Sequence, residues 1–237
     1  MDAAGYVTLT RQSGLMREMD VVAHNLANTA TTGFRREGLV FSEFVHATPD
    51  APSLSMARAN TRAIDLSEGD LTETGGAFDF AIRGAGFFLV ETPDGQRLTR
   101  AGSFTPSPEG ELVTPDGHRL LDAGGAPVAI PPGAGPVTLS ADGTLAAAGQ
   151  AFAQLGLWQP ADPVTLRHEA GTLFSAAATI PAEGATLLQG RIEGSNVDPL
   201  SEVARMIEVQ RAYEAGQNFL LREDERTRSV IETLGRR

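Results

Sequence analysis

Cysteine and lysine are both absent from this chain of 237 residues, and aromatic residues are few. Without cysteine there is no disulfide, no thiolate metal site and no cysteine nucleophile. All 19 basic residues are arginine, which by itself excludes no function. The single tryptophan and two tyrosines leave little material for an exposed aromatic binding platform. No run of 18 apolar residues occurs, so the sequence predicts no transmembrane segment.

The charge is acidic and unevenly distributed. The formal net charge is −11 and the isoelectric point is about 4.8, which argues against nucleic acid as a partner. Residues 47–194 carry 8 arginines against 17 acidic residues, so they hold 9 of the 11 excess negative charges. Near-neutral ends fit termini that pack together, although an acidic soluble surface is also common. Asp2 and the lack of an apolar leader predict that no signal peptide is cleaved.

The N-terminal segment has the period of a helix. Apolar residues from Leu15 to Leu26 recur at spacings of 4, 3 and 4 residues, which places them on one helical face. We predict a helix over 3–28, ended by a polar and β-branched run in which Gly33 can adopt a positive φ. Residues 34–75 show no clean period, and we expect an extended, irregular connector there.

Residues 76–180 have the pattern of β-structure. The apolar run 87–90 has the length of a strand. Acid-glycine pairs supply the positive φ that tight turns require, and they occur at Asp94-Gly95, Glu109-Gly110, Asp116-Gly117 and Asp142-Gly143. Because hairpin follows hairpin, we predict a mainly antiparallel sheet. We also expect 151–159 and 164–167 to pair with each other around Pro160.

The strongest helix signal lies at the C-terminal end. Asp198 is a good N-cap, and Pro199 suits a first helical turn. From Met206 to Leu220, core-type positions recur at spacings of 3, 4, 3 and 4, which is a heptad seam. A helix over 199–234 is about 54 Å long. So long a helix with so narrow a stripe requires a partner helix, and the N-terminal helix can supply it.

These elements predict an α+β chain. The long N- and C-terminal helices pair as a coiled-coil domain, and the middle of the chain forms a mainly antiparallel all-β domain. The predicted divisions are the N-terminal helix at 1–33, the extended connector at 34–75, the central β domain at 76–190 and the C-terminal helix at 191–237.

Short motifs occur in a fixed order along almost the whole chain. The terminal motifs are MDVVAHNLANTATTGF at 19–34, GRIEGSNVD at 190–198 and MIEVQRAYEA at 206–215. The central motifs are GDLTETG at 69–75, DFAIRGAGFF at 79–88 and LTRAGSF at 98–104. Together they resemble the axial-protein family of the bacterial flagellum, which contains rod, hook and hook-associated proteins.

The resemblance implies a structural subunit of the flagellar basal-body rod. Its terminal helices would line a hollow axial tube that transmits torque and carries exported subunits. The opening residues 1–9 and 17–20 look most like a proximal-rod member, with a distal-rod member or another axial protein as the alternative. The implied partners are other rod subunits and the flagellar export apparatus. The implied location is the periplasmic rod, reached without a cleaved signal peptide, and no cofactor is implied.

Candidate assembly contacts lie in both terminal regions. Asn25 and Asn28 can cap backbone groups or bond to a neighbouring subunit, and Asn196 poses the same choice. The heptad seam can pack within the chain, between chains or both, although Gly216, where the family usually has Asn, weakens the helix by roughly 1 kcal/mol relative to Ala. The candidate contacts are Asn25, Asn28, Gly33, Phe34, Ser195, Asn196, Val197, Met206, Val209, Tyr213 and Leu220.

Catalytic motifs are scarce. The four histidines form no H-x-x-x-H pair, no G-x-S-x-G occurs, and the G-x-G at 84–86 precedes a strand. The acidic cluster within 65–73 lacks the spacing of an EF-hand and is best interpreted as a solvated face. We therefore predict a protein that is not an enzyme and holds no metal. The remaining alternatives are a secreted glycan-acting β domain and an adhesin-like module that uses Trp158.

Overall fold

The computed structural model describes residues 3–48 and 51–235. The first half of the chain contains α1 Ala3–Ala27, β1 Glu37–Thr48, β2 Ala51–Ile64, β3 Leu71–Glu73, β4 Phe80–Arg83, β5 Phe88–Thr92, β6 Gly95–Thr99, β7 Thr105–Pro106, β8 Leu112–Val113 and β9 Arg119–Leu120. The second half contains β10 Val137–Leu139, β11 Thr144–Ala147, β12 Gln150–Gln154, β13 Trp158–Pro160, a 3₁₀ turn at Pro163–Thr165, β14 Arg167–His168, β15 Leu173–Ser175, β16 Thr179–Pro181, β17 Thr186–Gln189, β18 Arg191–Glu193 and α2 Pro199–Gly235.

The α+β class is confirmed, with one long helix near each end of the chain and a mostly antiparallel β region between them. Both predicted helices lie within one residue of their predicted bounds. α2 begins where Asp198 accepts hydrogen bonds from the backbone N–H groups of Leu200 and Ser201, at 3.2 and 3.3 Å. The predicted N-cap is therefore confirmed.

The chain divides into two compact units. The first, which we call the helical unit, contains α1, Glu37–Ala63 and α2 with its N-cap residue. The second, which we call the β unit, contains Asn28–Arg36 and Ile64–Val197.

In the helical unit, α1 and α2 pack against each other in antiparallel directions. Residues further along α1 contact residues nearer the start of α2. The Gln12 side chain reaches the carbonyl of Tyr213, and Glu18 pairs with Arg205. Valines on both helices are buried, among them Val22 and Val209.

The expectation of an irregular connector at 34–75 is wrong over most of its length. Residues 37–48 and 51–64 form two long strands that pair as a two-stranded ribbon. The segment is extended, as predicted, but it is regular. The lack of a helical period is equally compatible with strands, and Pro52 can be accommodated because each strand of such a ribbon has one edge without ladder bonds.

The β unit is built around a seven-stranded antiparallel sheet in the order β14-β15-β6-β5-β9-β8-β7. Beside it are the three-stranded sheet β10-β11-β12 and the pairs β13-β16, β17-β4 and β18-β3. The predicted hairpin turns are confirmed: the four acid-Gly pairs lie where successive strands connect, with Gly95 as the first residue of β6, and Gly95, Gly110, Gly117 and Gly143 have φ of 104°, 85°, 85° and 92°.

The core of the β unit has two apolar clusters on opposite sides of β5. Phe88 and Val90 belong to the larger cluster, whereas Phe87 and Leu89 belong to the smaller one. Because successive strand residues point to opposite faces, both faces of β5 are covered. This burial explains why the run 87–90 is continuously apolar rather than alternating.

The predicted hairpin around Pro160 is wrong. β13 pairs with β16, with Gln159 opposite Ile180, and β14 pairs with β15. The first part of 151–159, up to Gln154, instead belongs to β12, which completes the three-stranded sheet. Both partner strands lie further along the chain, so local pattern did not indicate them. Neither of the two helices that the structure describes is long and apolar enough to span a bilayer.

Candidate assembly site

Asn25 is a fully buried anchor at the end of α1. Its Nδ2 donates to the carbonyl of Glu37 at 2.8 Å, and its Oδ1 accepts from the N–H of the same residue at 2.9 Å. Nδ2 also donates to Oε2 of Glu202 at 3.2 Å. One amide group therefore fixes the start of β1 and the first turn of α2 to the end of α1, and all of its polar atoms are used within the chain.

Asn196 plays the corresponding part in the β unit. Its Oδ1 accepts from the backbone N–H of Arg36 at 2.6 Å. Its Nδ2 donates to the carbonyls of Asp65 and Ser67 at 3.1 and 3.0 Å. The motif that precedes α2 thus fastens two loops, 35–36 and 65–67. Ser195 closes the turn, because its Oγ accepts from the N–H of Val197, a buried residue, at 3.2 Å.

Gly33 and Phe34 occupy a tight site in the β unit. Gly33 has φ +72°, and its N–H donates to the carbonyl of Glu193 at 2.8 Å. A Cβ at Gly33 would lie 2.2 Å from the backbone nitrogen of Ala101, so only glycine fits. Phe34 is fully buried and packs edge-on against the ring of His168, with centroids 5.3 Å apart. Both residues are structural in the chain itself.

Asn28 begins the turn that leads to Gly33. Its Oδ1 accepts from Oγ1 of Thr31 at 3.1 Å, and its carbonyl accepts from the N–H of the same residue at 3.2 Å. Asn28 is only half-buried. Of the two asparagines in the N-terminal motif, Asn28 is therefore the one with surface left exposed.

A buried ion cluster lies beneath these motifs, and sequence reasoning missed it. Glu193 Oε1 lies 2.7 Å from Nη1 of Arg35, and its Oε2 lies 3.0 Å from Nη1 of Arg100. All three side chains are at most 2% exposed. The N–H of Gly69 donates to the same carboxylate at 2.9 Å, and Arg100 donates to the carbonyls of Ile82 and Gly84.

Burial lowers the pKa of Arg100 to about 10, an effect that the Glu193 charge opposes. Arg100 therefore remains charged at neutral pH. One carboxylate holds two buried guanidinium groups: Arg35 directly follows the N-terminal motif, and Arg100 lies in the LTRAGSF motif. One feature of the sequence could have indicated this cluster: a charged residue stands inside or directly after each of these motifs, whose other residues are mainly apolar, small or glycine.

The predicted seam of α2 is its least exposed stripe. Val209 is 2% exposed, and Met206, Tyr213 and Leu220 are partly buried, whereas most residues between them are exposed. The same spacing continues toward the helix start, where Glu202 is 1% exposed. The seam therefore faces α1 along the first two-thirds of α2.

Large apolar side chains remain exposed on both helices. α1 exposes Leu9 and Met16, seven residues apart. α2 exposes Leu200 (79%), Val203 and Ile207 near its start. From Asp224 to Gly235 every residue of α2 is exposed, including Val230, Ile231 and Leu234. We call 224–235 the α2 overhang.

The acidic cluster near residue 70 takes part in loop structure. Asp65 accepts from the N–H of Ser67, and this hydrogen bond lowers the pKa of Asp65 below its ordinary value. Glu68 accepts from the N–H of Gly84 at 2.7 Å, and Glu73 lies 3.5 Å from Arg191. Within the described residues, no group of three His, Asp or Glu is placed to hold a metal ion.

Comparison with known proteins agrees with these motifs. The model of the "Flagellar hook protein FlgE/F/G D1 domain" matches residues 81–147, and that of the "Flagellar basal body rod FlgEFG protein C-terminal" matches residues 188–233. The first match covers five of the seven strands of the large sheet and two of the three strands of the three-stranded sheet. The second covers the turn before α2 and nearly all of that helix.

Relatives match over essentially their whole length. The flagellar basal-body rod protein FlgF of Caulobacter vibrioides is 38% identical over 100% of this chain and 99% of its own. FlgF of Rhizobium meliloti is 35% identical over 99% of both chains. FlgG of Bacillus subtilis, also a flagellar basal-body rod protein, is 29% identical over 95% of this chain and 97% of its own. This chain therefore belongs to the flagellar basal-body rod protein family and is a structural subunit of the rod.

Proposed function

We propose that this chain assembles through its terminal helices into the proximal part of a hollow axial rod, together with other rod subunits. The observation that carries the proposal is the apolar surface left exposed on α1 and α2. The two helices bury one stripe against each other, yet Leu9, Met16, Leu200 and Leu234 remain accessible. Helices that expose a second apolar stripe require further helices as partners.

Coiled-coil packing is the arrangement that the spacing of α2 favours. Its low-exposure positions follow a heptad from Glu202 through Leu220, the period that produces left-handed coiled coils. We propose that Met206, Val209, Tyr213 and Leu220 pack on α1 and, in the rod, on helices of adjacent subunits. A non-closing, head-to-tail repeat of such contacts generates a helical tube.

The polar motif residues act in assembly indirectly. Asn25 and Asn196 direct their amide groups into their own units, and Gly33 and Phe34 are buried. We propose that these residues, with Asn28, Ser195 and Val197, fix the ends of the helices so that the exposed stripes are presented in a defined geometry.

The β1–β2 ribbon supports the same proposal. An isolated two-stranded hairpin is marginally stable in water and is stabilised by further strands or a packing surface. Strands of 12 and 14 residues are long for such a ribbon. We propose that neighbouring subunits of the rod cover part of it.

We propose the proximal position because the FlgF relatives described above are more identical to this chain than the FlgG relative is. FlgF of Caulobacter vibrioides and FlgF of Rhizobium meliloti are 38% and 35% identical, whereas FlgG of Bacillus subtilis is 29% identical. FlgF-type chains are the proximal-rod members that the opening residues resemble. A distal position is the alternative within the family.

The proposed location is the periplasmic rod, reached through the flagellar export apparatus without cleavage. In the rod, the tube would transmit torque and carry exported subunits. The proposed role is structural, without catalysis or a cofactor.

The test is electron microscopy of basal bodies from an in-frame deletion strain of the source bacterium, with a complemented strain as control. We expect rods, hooks and filaments to be incomplete in the deletion strain and restored by complementation. Normal basal bodies in the deletion strain would contradict the proposal. A matched strain carrying Leu200→Asp and Leu234→Asp tests the exposed stripe, because buried charges at a helix contact would block assembly.

A further inference from the structure

We propose that a groove between α1 and α2 is a docking site for the α2 overhang of a second copy of this chain. The inference rests on the proposed function, since it names the segment that fills one surface of the helical unit. The groove has a volume of about 380 Å³. Its apolar and small lining residues are Val7, Leu15, Ala212, Ala215, Gly216 and Phe219.

The groove contains a built-in notch. A Cβ at Gly216 would lie 2.5 Å from Nε2 of Gln12, so the missing side chain makes room for that amide. Gln12 is 7% exposed, and its Nε2 donates to the carbonyl of Tyr213 at 2.9 Å. The glycine that weakens the heptad seam thus allows a glutamine to lie across the surface of α2.

The same amide leaves one acceptor unsatisfied. Oε1 of Gln12 is buried and accepts no hydrogen bond from any described residue. A buried acceptor without a donor destabilises the fold. Because Oε1 is closed off from solvent, it belongs to the wall of the groove, and the apolar lining is the surface that an incoming segment contacts.

The overhang has the complementary features. Its apolar residues Val230, Ile231 and Leu234 are 53%, 64% and 67% exposed. Val230 and Leu234 continue the heptad spacing of the seam beyond the last partly buried position, Glu223. The segment thus repeats the seam pattern where α1 no longer covers it.

Length and charge agree with this pairing. The overhang is about 18 Å long, and the α1 side of the groove from Val7 to Leu15 spans about 12 Å. Arg11 lines the groove and is exposed, and Glu232 lies on the overhang; neither forms an ion pair with a described residue. An Arg11–Glu232 contact would set the register of the two chains.

The occupant must come from another chain. Ala215 in the groove and Leu234 in the overhang lie on one continuous helix, about 28 Å apart along its axis. A straight helix does not fold back on itself, so its own overhang cannot reach the groove. A second copy brings the same segment without that restriction.

Disulfide cross-linking tests the inference, because the natural chain has no cysteine. Two single variants of the chain, one with Ala215→Cys and one with Leu234→Cys, are expressed together in the deletion strain. Basal bodies are then isolated under oxidising conditions. We expect a disulfide-linked dimer that contains one chain of each variant. The matched control pairs Ala215→Cys with Leu200→Cys, an apolar position at the other end of α2 that is at least as exposed as Leu234, and we expect no dimer there.

Swarming by the variant strains confirms that the altered chains fold and assemble. If swarming is normal but the Ala215–Leu234 link is absent, or equals the control, the inference is overturned while the proposed function stands. A link from Ala215→Cys to a chain of different mass also overturns it, because the occupant is then another protein. If normal rods form without this chain, both proposals fall.

A charge exchange provides a second test on the same cross-link. Arg11→Glu or Glu232→Arg alone should lower the yield of the linked dimer roughly two- to fivefold, as expected for loss of an exposed ion pair. The double variant should restore the yield. Equal loss in the double variant would overturn the proposed register.

Discussion

Asn25 holds the backbone of Glu37 by two hydrogen bonds that run in opposite directions, at 2.8 and 2.9 Å. The side-chain amide thereby pairs with residue 37 as a strand neighbour would. Because Asn25 is fully buried, no water can replace either bond. Asn25, in the last turn of α1, thus also fixes the first residue of β1.

The first prediction concerns this anchor. Asn25→Ala leaves the N–H and carbonyl of Glu37 without their partner, and we expect the helical unit to lose about 1–3 kcal/mol of stability. Thermal unfolding of the purified chain, followed by circular dichroism at the helix band, measures the change. Asn218→Ala, at an exposed position of α2, is the matched control. Equal melting of the two variants would refute the anchoring role.

The second prediction concerns the buried ion cluster. Glu193→Gln leaves Arg35 and Arg100 buried without their carboxylate, and we expect a loss of about 3–5 kcal/mol from the β unit. Urea unfolding monitored by fluorescence of the single tryptophan, Trp158, reports on this unit. Glu73→Gln removes an exposed ion pair on β3 and should cost at most about 1 kcal/mol. A similar small effect at Glu193 would show that the cluster contributes little to stability.

The third prediction separates steric from conformational demands on glycine. A Cβ at Gly102 would lie 1.7 Å from the carbonyl oxygen of Phe80, within a backbone contact. We expect Gly102→Ala to cost more than about 4 kcal/mol or to prevent folding. Gly117 has φ +85° and open space around it, so Gly117→Ala should cost only about 1–2 kcal/mol. Soluble yield and urea midpoints distinguish the two, and equal effects would contradict the steric explanation.

The fourth prediction concerns acid sensitivity. The N–H and hydroxyl of Thr144 hold the pKa of Asp142 below its ordinary value. A carboxyl with a lowered folded-state pKa stabilises the fold above its unfolded pKa of about 3.9, and that stabilisation is lost as the pH falls through the folded value. Asp142→Asn keeps the acceptor oxygen, so stability should fall less between pH 5 and pH 2. Asp116→Asn, in another Asp-Gly turn, is the control, and an unchanged acid response of Asp142→Asn would contradict this assignment.

The fifth prediction concerns the α2 overhang. In the isolated chain, residues 224–235 are all exposed, so we expect their amides to exchange hydrogen faster than those from Val203 to Leu220. In purified basal bodies the same segment should be protected. Fast exchange of the overhang in assembled rods would contradict its burial by a neighbouring chain.

Local pattern was sufficient for several elements. The periods of residues 15–26 and 206–220 predicted both helices, and Asp198 marked the start of α2 correctly. Acid-Gly pairs predicted the hairpin turns, because positive φ is a local requirement that few residues meet. The order of motifs predicted the family.

The pairing of strands was harder to predict from the sequence. The strands at 37–64 were interpreted as an irregular connector, and β13 was assigned the wrong partner. Strand pairing depends on segments that are distant in the chain, and a strand with an uncertain partner has no distinctive local period. The coiled-coil pairing and the intersubunit contacts remain predictions.

The sequence by itself determined where the helices and tight turns lie, since periodicity, capping and glycine conformation act over a few residues. Only the tertiary structure decided that Asn25 and Asn196 bond inward, that Glu193 joins two buried arginines, and that Gly216 opens a notch for Gln12. These relationships join residues far apart in the chain. Burial and hydrogen-bond geometry, which exist only after folding, specify them.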